Sequence, residues 1–224
     1  MNKNNLADFF KGKLSIGVLF FMYFNIAITI AVSAQNYTPV KDVAGFKKLY
    51  ATKSTSINTL RSDFIQEKSI SMLNNTLNSN GSFIFKKVNK LRMEYAKPYP
   101  YLFVLNENQI SIKNDQKKSN VSVNSNKLFK MISQITIDCV TGNILNSKDF
   151  DVKISENAQV YFLVLKPNQK MLKSLFNEID LLVAKSDFTV ERIDLKETSG
   201  DSTTLIFSNK KINTQVSDEI FTVN

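Results

Sequence analysis

"KLRMEYAKPYPYLFVLNENQISI", residues 90–112, holds two apolar runs of different character. In the first, Leu91, Met93 and Tyr95 alternate with Arg92 and Glu94, the period-two pattern of a half-buried strand. In the second, Tyr101, Phe103 and Leu105 alternate with Leu102 and Val104, so both faces are apolar. Pro98 and Pro100 separate the runs. Proline has no N–H for a sheet ladder, and the residue before it is pushed out of the helical region. The stretch therefore reads as two strands around a turn, with apolar material required on both sides of the second.

Working outward, the same pattern recurs. Upstream, Val43, Phe46, Leu49 and Tyr50 fall at helical spacing and predict an amphipathic helix within 41–61. Strands are predicted in "DFIQEKSISML" (63–73), "SFIFKK" (82–87) and "LRMEYA" (91–96), with "NNTLNSNGS" (74–82) as a turn. Downstream follow "YLFVL" (101–105), "QISIKN" (109–114) and "SNVSVN" (119–124). A short helix over 126–135 comes next, with Leu128, Met131, Ile132 and Ile135 at helical spacing and Phe129 alongside. Strands return in "FDVKIS", "QVYFLVLKP", "LFNEIDLLVAK", "TVERIDLKE" and "TTLIFSNKKI", the third of them after a turn at "NQKM" (168–171). Short strands joined by short turns make an antiparallel meander. The absence of a strand–helix–strand repeat argues against a parallel nucleotide-binding sheet. No linker, low-complexity block or internal repeat divides the chain, so residues 35–224 read as one domain. A meander of about ten strands curls into a partial or full barrel rather than staying flat.

The first 34 residues differ from the rest. Lys3, Lys11 and Lys13 precede an almost unbroken apolar run from Leu14 to Val32, and "VSA" ends at Ala34. This is the plan of a secretory signal peptide over residues 1–34. An uncleaved membrane anchor is the alternative, since the run is of the order of the roughly 20 residues a spanning helix needs. Cleavage after Ala34 would leave Gln35, not a lipid-bearing cysteine, at the new N-terminus. The formal net charge of +9 shrinks only slightly on processing. Its lysines gather in turn-like stretches ("KKVNK", "NDQKKSN", "SNKK"), which read either as solvated loops or as a surface drawn to anionic partners.

The chemistry of common enzymes is missing. With no histidine in 224 residues, the commonest general base and metal ligand is absent. No nucleophile elbow, zinc-protease helix or phosphate loop occurs, and no metal or cofactor is expected. Three arginines (Arg61, Arg92, Arg192) and no aromatic–basic stacking pattern argue against nucleic acid. The lone Cys139, in "ITIDCV", makes no internal disulfide and reads as a buried small hydrophobe. Apolar surface remains. Phe83 and Phe85 share one face; Leu91, Met93 and Tyr95 share another beside it. Leu102 and Val104, or Tyr101 and Phe103, continue the lining of either a filled core or a cavity.

The chain resembles the periplasmic outer-membrane lipoprotein carriers, the LolA family, over nearly all of residues 35–224. The resemblance rests on the order of several pieces. "DFIQ" supplies Phe64 and Gln66, "GSFIFKKVNKLRMEY" supplies Gly81, Lys86, Lys87 and Asn89, and Pro98 precedes "YLFVL". The helix "KLFKMISQI", the strand end "LVLKP", the turn "ETSGDSTTLIF" and the finish "DEIFTV" follow in family order. The sequence departs from the family pattern at Lys87, where an arginine is usual, at Val88, and at Asn106-Glu107.

The resemblance implies a mainly β fold with helices: an incomplete antiparallel β-barrel enclosing an apolar cavity, closed by short helices. It implies acyl-chain contacts from Phe83, Phe85, Leu91, Met93, Tyr95, Leu102 and Val104, and a lid carrying Leu128, Phe129 and Ile132. Lys87 would lock that lid. A monomeric, non-enzymatic periplasmic carrier would take acylated lipoproteins from an inner-membrane ABC-type releasing complex to the outer membrane. A related carrier of another lipid, and a membrane-anchored interaction module with a filled barrel, stay open beside it.

Overall fold

The computed structural model describes residues 36–114, 118–122 and 127–223, and the side chains of all of these except 118–122 and 127–133. The segment read as a signal peptide, residues 1–34, lies outside the described residues. Residues from Tyr37 onward form one compact unit. No helix among the described residues is long and apolar enough to cross a membrane.

The unit is built on one antiparallel sheet of twelve strands. In chain order they are β1 (Thr38–Pro39), β2 (Thr59–Ile70), β3 (Asn75–Lys86), β4 (Lys90–Lys97), β5 (Tyr101–Asn106), β6 (Gln109–Asn114), β7 (Lys118–Ser122), β8 (Phe150–Glu156), β9 (Val160–Pro167), β10 (Phe176–Ala184), β11 (Val190–Glu197) and β12 (Ser202–Ile212). Their order across the sheet is β1-β8-β9-β10-β11-β12-β2-β3-β4-β5-β6-β7. Two meanders are joined where β12 pairs with β2. No ladder links β7 back to β1, so the sheet is an open one rather than a closed barrel.

The two strands of the opening stretch pair as Leu91↔Leu105, Met93↔Phe103 and Tyr95↔Tyr101. Because paired residues in a sheet point to the same face, these six side chains share the inner face. Arg92, Glu94, Leu102 and Val104 share the outer one. The doubly apolar character of β5 is thereby explained. Its outer face, with Ile84, packs under Val216 and Phe221 of the C-terminal segment, forming a small second core.

The inner face is covered by two helices, α1 (Val43–Thr55) and α2 (Lys127–Thr141). Asp42 caps α1, its carboxylate accepting from the Gly45 N–H at 2.8 Å. Phe46, Tyr50 and Ser54 recur every fourth residue and form the buried stripe. Phe46 packs on Tyr161 of β9 with ring centroids 4.3 Å apart, and Phe188 completes the aromatic group against Tyr161 at 5.9 Å. Tyr50 donates to the Cys139 carbonyl of α2 at 3.4 Å. Burial pushes the Tyr50 hydroxyl and the Cys139 thiol well above their usual pKa values, and Cys139 is the buried small hydrophobe expected. After α2 the chain turns at Gly142, whose φ of 72° suits glycine. A Cβ there would lie 2.3 Å from Ser54 Oγ, so the close approach also excludes a side chain.

Several boundaries depart from the sequence expectation. "NNTLNSNGS", read as a turn, is mostly the first half of β3, paired residue for residue with β2 from Ile70↔Asn75 to Phe64↔Gly81. Ladder bonds from an already formed neighbour outweigh the turn preference of asparagine and serine. The turn is shorter, a 3₁₀ segment at Ser71–Leu73 followed by Asn74 in the left-handed conformation. The helix placed at 126–135 continues to Thr141; its polar Thr141 is tolerated because its hydroxyl donates to the Ile137 carbonyl at 2.8 Å. The predicted turn "NQKM" ends in a short helix, α3 (Lys170–Lys173).

Candidate functional site

The inner face of β2 carries Leu60, Ser62, Phe64, Gln66 and Lys68 in order along the strand. It is apolar and buried at one end and polar and half-buried at the other. On β3 and β4, Phe83, Phe85 and Leu91 are almost completely buried in the main core, and Met93 and Tyr95 lie partly buried beside them. Five of the seven residues expected to line a cavity therefore share one surface.

Leu102 and Val104, expected to line the cavity, do not face it. They sit on the outer face, in the second core with Val216 and Phe221. Their inner-face counterparts are Tyr101 and Phe103, aligned by the Tyr95↔Tyr101 and Met93↔Phe103 pairs. β5 is apolar on both faces, so its own pattern does not reveal which side faces in. That choice depends on the register across the turn at Lys97–Pro100.

Helix α2 lies over this surface. Its described half places Ile135, Thr136 and Cys139 against Phe176, Ile193, Leu195 and Leu205, around a cavity of about 40 Å³. That is little more than the volume of one water. The described half of the helix thus packs against the apolar inner face. Leu128, Phe129 and Ile132 belong to the first half of α2, and their side chains lie outside the described residues. A much larger groove, about 680 Å³, runs over the outer face of β2–β4, lined by Asp63, Asn80, Ser82, Glu94 and Ile65. Its lining mixes the carboxylates of Asp63 and Glu94 and the Asn80 amide with Phe64, Ile65, Tyr95, Ala96 and Pro100.

Lys87 follows the end of β3. Its ammonium donates to the carbonyl of Thr55, and its backbone N–H donates to Asn58 O at 2.8 Å. A cation at the C-terminal carbonyls of a helix is favourably placed in the helix dipole. Among the described residues, the helix it holds is α1. Its neighbour Lys86 points to the outer face. There it donates to Val216 O at 2.8 Å and pairs with Asp218 at 3.0 Å. Lys90 reaches the same carboxylate at 2.9 Å, and Arg92 donates to Ile220 O at 2.9 Å. A line of cations thus straps the C-terminal segment to the sheet, and it holds the Asp218 carboxyl below the usual range.

The polar end of the inner face is also organised. Tyr95 donates to Gln66 Oε1 at 2.8 Å and packs edge-on against Phe64 and Tyr101. Burial raises the Tyr95 hydroxyl to about 12. Lys68 is paired with Glu197, and Asp201 stands 3.9 Å away. Thr203 donates to Glu197 at 3.3 Å. Gln66 was visible in the sequence as part of "DFIQ", but nothing local marked it, Lys68, Leu195 or Leu205 as members of one surface. Among the described residues no cluster of histidine, cysteine and carboxylates could hold a metal.

The comparisons with known proteins bear on this arrangement. The family model described as outer membrane lipoprotein carrier protein LolA matches residues 55–224. Comparison with curated protein sequences yields no match. Among solved structures, an uncharacterized conserved protein from Thermus thermophilus is similar with a TM-score of 0.52 at 11% identity, over 81% of this chain and 94% of that one. A LolA superfamily protein from Nitrosomonas europaea matches with a TM-score of 0.42 at 10% identity, over 79% and 97% of the two chains. The lipoprotein LppX of Mycobacterium tuberculosis matches with a TM-score of 0.41 at 13% identity, over 80% and 99%.

Proposed function

This chain belongs to the LolA family of outer membrane lipoprotein carrier proteins, and on that premise we propose that it carries the acyl chains of lipoproteins through water. The observation that carries the reading is the seam between α2 and the inner face. Ile135 and Cys139 cover Leu195, Leu205, Ile193 and Phe176 with about 40 Å³ to spare. Acyl chains would enter by displacing α2, exchanging one apolar partner of the sheet for another. Each methylene taken out of water contributes about 0.8 kcal/mol, so a single long chain offsets the loss of the helix's own contacts. When the cargo leaves for a membrane, α2 returns and the seam closes. Such a protein stays soluble in both states because its apolar face is never bare.

With the leader read over residues 1–34, the place of work is the periplasm. The donor would be an inner-membrane ABC-type releasing complex, and the destination the outer membrane. The protein works by burial and not by bond chemistry. A second reading is favoured by the near-complete burial of Phe83, Phe85 and Leu91: an interaction module with a permanently filled core. An environment-sensitive apolar dye separates the two. The carrier binds it and releases it to a triacylated peptide; a filled module gives no signal at any concentration. Native mass spectrometry of protein from its own periplasm checks the cargo directly. Recovery of the bare mass alone, together with no dye binding, overturns the carrier reading.

A further inference from the structure

We propose that Gln66, Lys68, Tyr95 and Glu197, at the polar end of the inner face, form a head-group site that selects neutral, hydrogen-bonding amphiphiles over anionic phospholipids. The inference rests on the carrier reading and names what distinguishes its cargo.

The position follows from register. Leu205, which lines the seam under α2, is the cross-strand partner of Gln66. Leu195, on the same seam, pairs with Thr203, and Thr203 pairs with Lys68. Gln66 therefore lies one strand spacing, about 4.8 Å, from the seam residue Leu205, and Lys68 lies two strands from Leu195. A tail lying in the seam brings its polar end to this group.

The hydrogen bonding matches an ester or amide. Tyr95 donates to Gln66 Oε1. The Gln66 side-chain N–H groups have no partner among the described residues, and the Tyr95 oxygen keeps lone pairs to accept with. One donor for a carbonyl and one acceptor for an N–H or O–H stand side by side. The electrostatics oppose an anion. Lys68 faces two carboxylates, Glu197 in contact and Asp201 at 3.9 Å. Asp201 is itself fixed by the Ser71 N–H at 3.0 Å and the Ser71 hydroxyl at 3.1 Å. A phosphate arriving here meets a cation already neutralised and a carboxylate in excess. Its desolvation would go uncompensated. Glyceryl esters and the first amides of an acylated peptide carry no such charge.

The test uses two lipids with identical chains, dioctanoylglycerol and dioctanoylphosphatidylglycerol, each titrated to displace a bound apolar dye. The parent protein should favour the neutral lipid by about tenfold, a difference of about 1.4 kcal/mol. Glu197→Gln should bring the ratio close to one, and Lys68→Gln should widen it, with circular dichroism checking that each variant is folded. Salt should shrink the preference of the parent. Equal displacement by both lipids, or a ratio indifferent to both substitutions, overturns the selector and leaves the carrier standing. Failure of the parent to bind dye or either lipid removes the carrier reading and this inference with it.

Discussion

Lys86 and Lys87 are adjacent, carry the same charge and hold different parts of the molecule. Lys86 secures the C-terminal segment through Val216 and Asp218, whereas Lys87 secures the end of α1 through Thr55. The resemblance assigns the lock to Lys87, and the structure gives Lys86 a separate hold on the C-terminal segment. Lys86→Leu should cost about 1 kcal/mol in urea unfolding, a charged hydrogen bond reduced by partial exposure. It should also raise amide exchange at Val216 and Ile220. Lys87→Leu should raise exchange at the last turn of α1 instead. Identical exchange maps for the two variants would show that the division of labour is not real. Gly81 makes a separate residue-scale demand. A Cβ there would meet the Glu94 backbone carbonyl oxygen at 2.0 Å. Gly81→Ala should therefore destabilise by about 2 kcal/mol or more, since neither strand can move aside cheaply.

At the scale of the element, the carrier reading requires α2 to leave for cargo to enter. Cys139 faces Ile193 and Leu205 across the small cavity, so Leu205→Cys or Ile193→Cys offers it a disulfide partner. Oxidised, such a variant should exclude the apolar dye; with reductant, it should take up dye like the parent. Equal uptake in both redox states would mean that α2 is a fixed part of the core. The C-terminal strap answers to pH. The Asp218 carboxyl is lowered by its bonds to Lys90 and Lys86. A depressed carboxylate stabilises the fold at pH above its unfolded value, and that contribution is lost as pH falls through the folded value. The strap should thus stay protected down to the ordinary aspartate value of 3.8 and open below it. Amide exchange of residues 216–221 across an acid titration checks this. Unchanged protection in strong acid would assign the strap's hold to the packing of Val216 and Phe221 and to the Lys86 and Arg92 bonds to backbone carbonyls, which acid leaves intact.

At the scale of the whole molecule, an open sheet is what allows one surface to accept either a helix or a ligand. A closed barrel would fix its interior volume by its hydrogen-bonded circumference. Among the described residues no ladder joins β7 to β1, so on the proposed carrier reading the sheet could change curvature if α2 withdrew. Cargo that binds only the native state must raise its stability by mass action, by about 2.7 kcal/mol at a hundredfold excess over Kd. Calorimetry with a triacylated peptide should show the melting temperature climbing with peptide concentration. No shift at saturating peptide would place the peptide on the surface rather than in the seam.

Strand by strand, the chain's own pattern determined which residues share a face. Phe83 with Phe85, and Leu91 with Met93 and Tyr95, follow from an alternation that any strand obeys. The full sequence contains no histidine, and the order of motifs from "DFIQ" to "DEIFTV" was enough to suggest the family. Relations between strands were another matter. Whether Tyr101 or Leu102 faces in depends on how β5 registers on β4 beyond a proline turn. Both faces of β5 are apolar, so only the partner strand on one side and the C-terminal segment on the other decide it. Asn75–Asn80 became strand because β2 offered a complete ladder, against the turn preference of those residues. Gln66 and Lys68 of β2 lie far along the chain from Leu195 and Leu205 of the consecutive strands β11 and β12, and meet them only where β12 pairs with β2. Pleat and periodicity are properties of neighbouring bonds, and the sequence carries them; register, and hence the site, is set by contacts between distant segments, which only the folded molecule brings together.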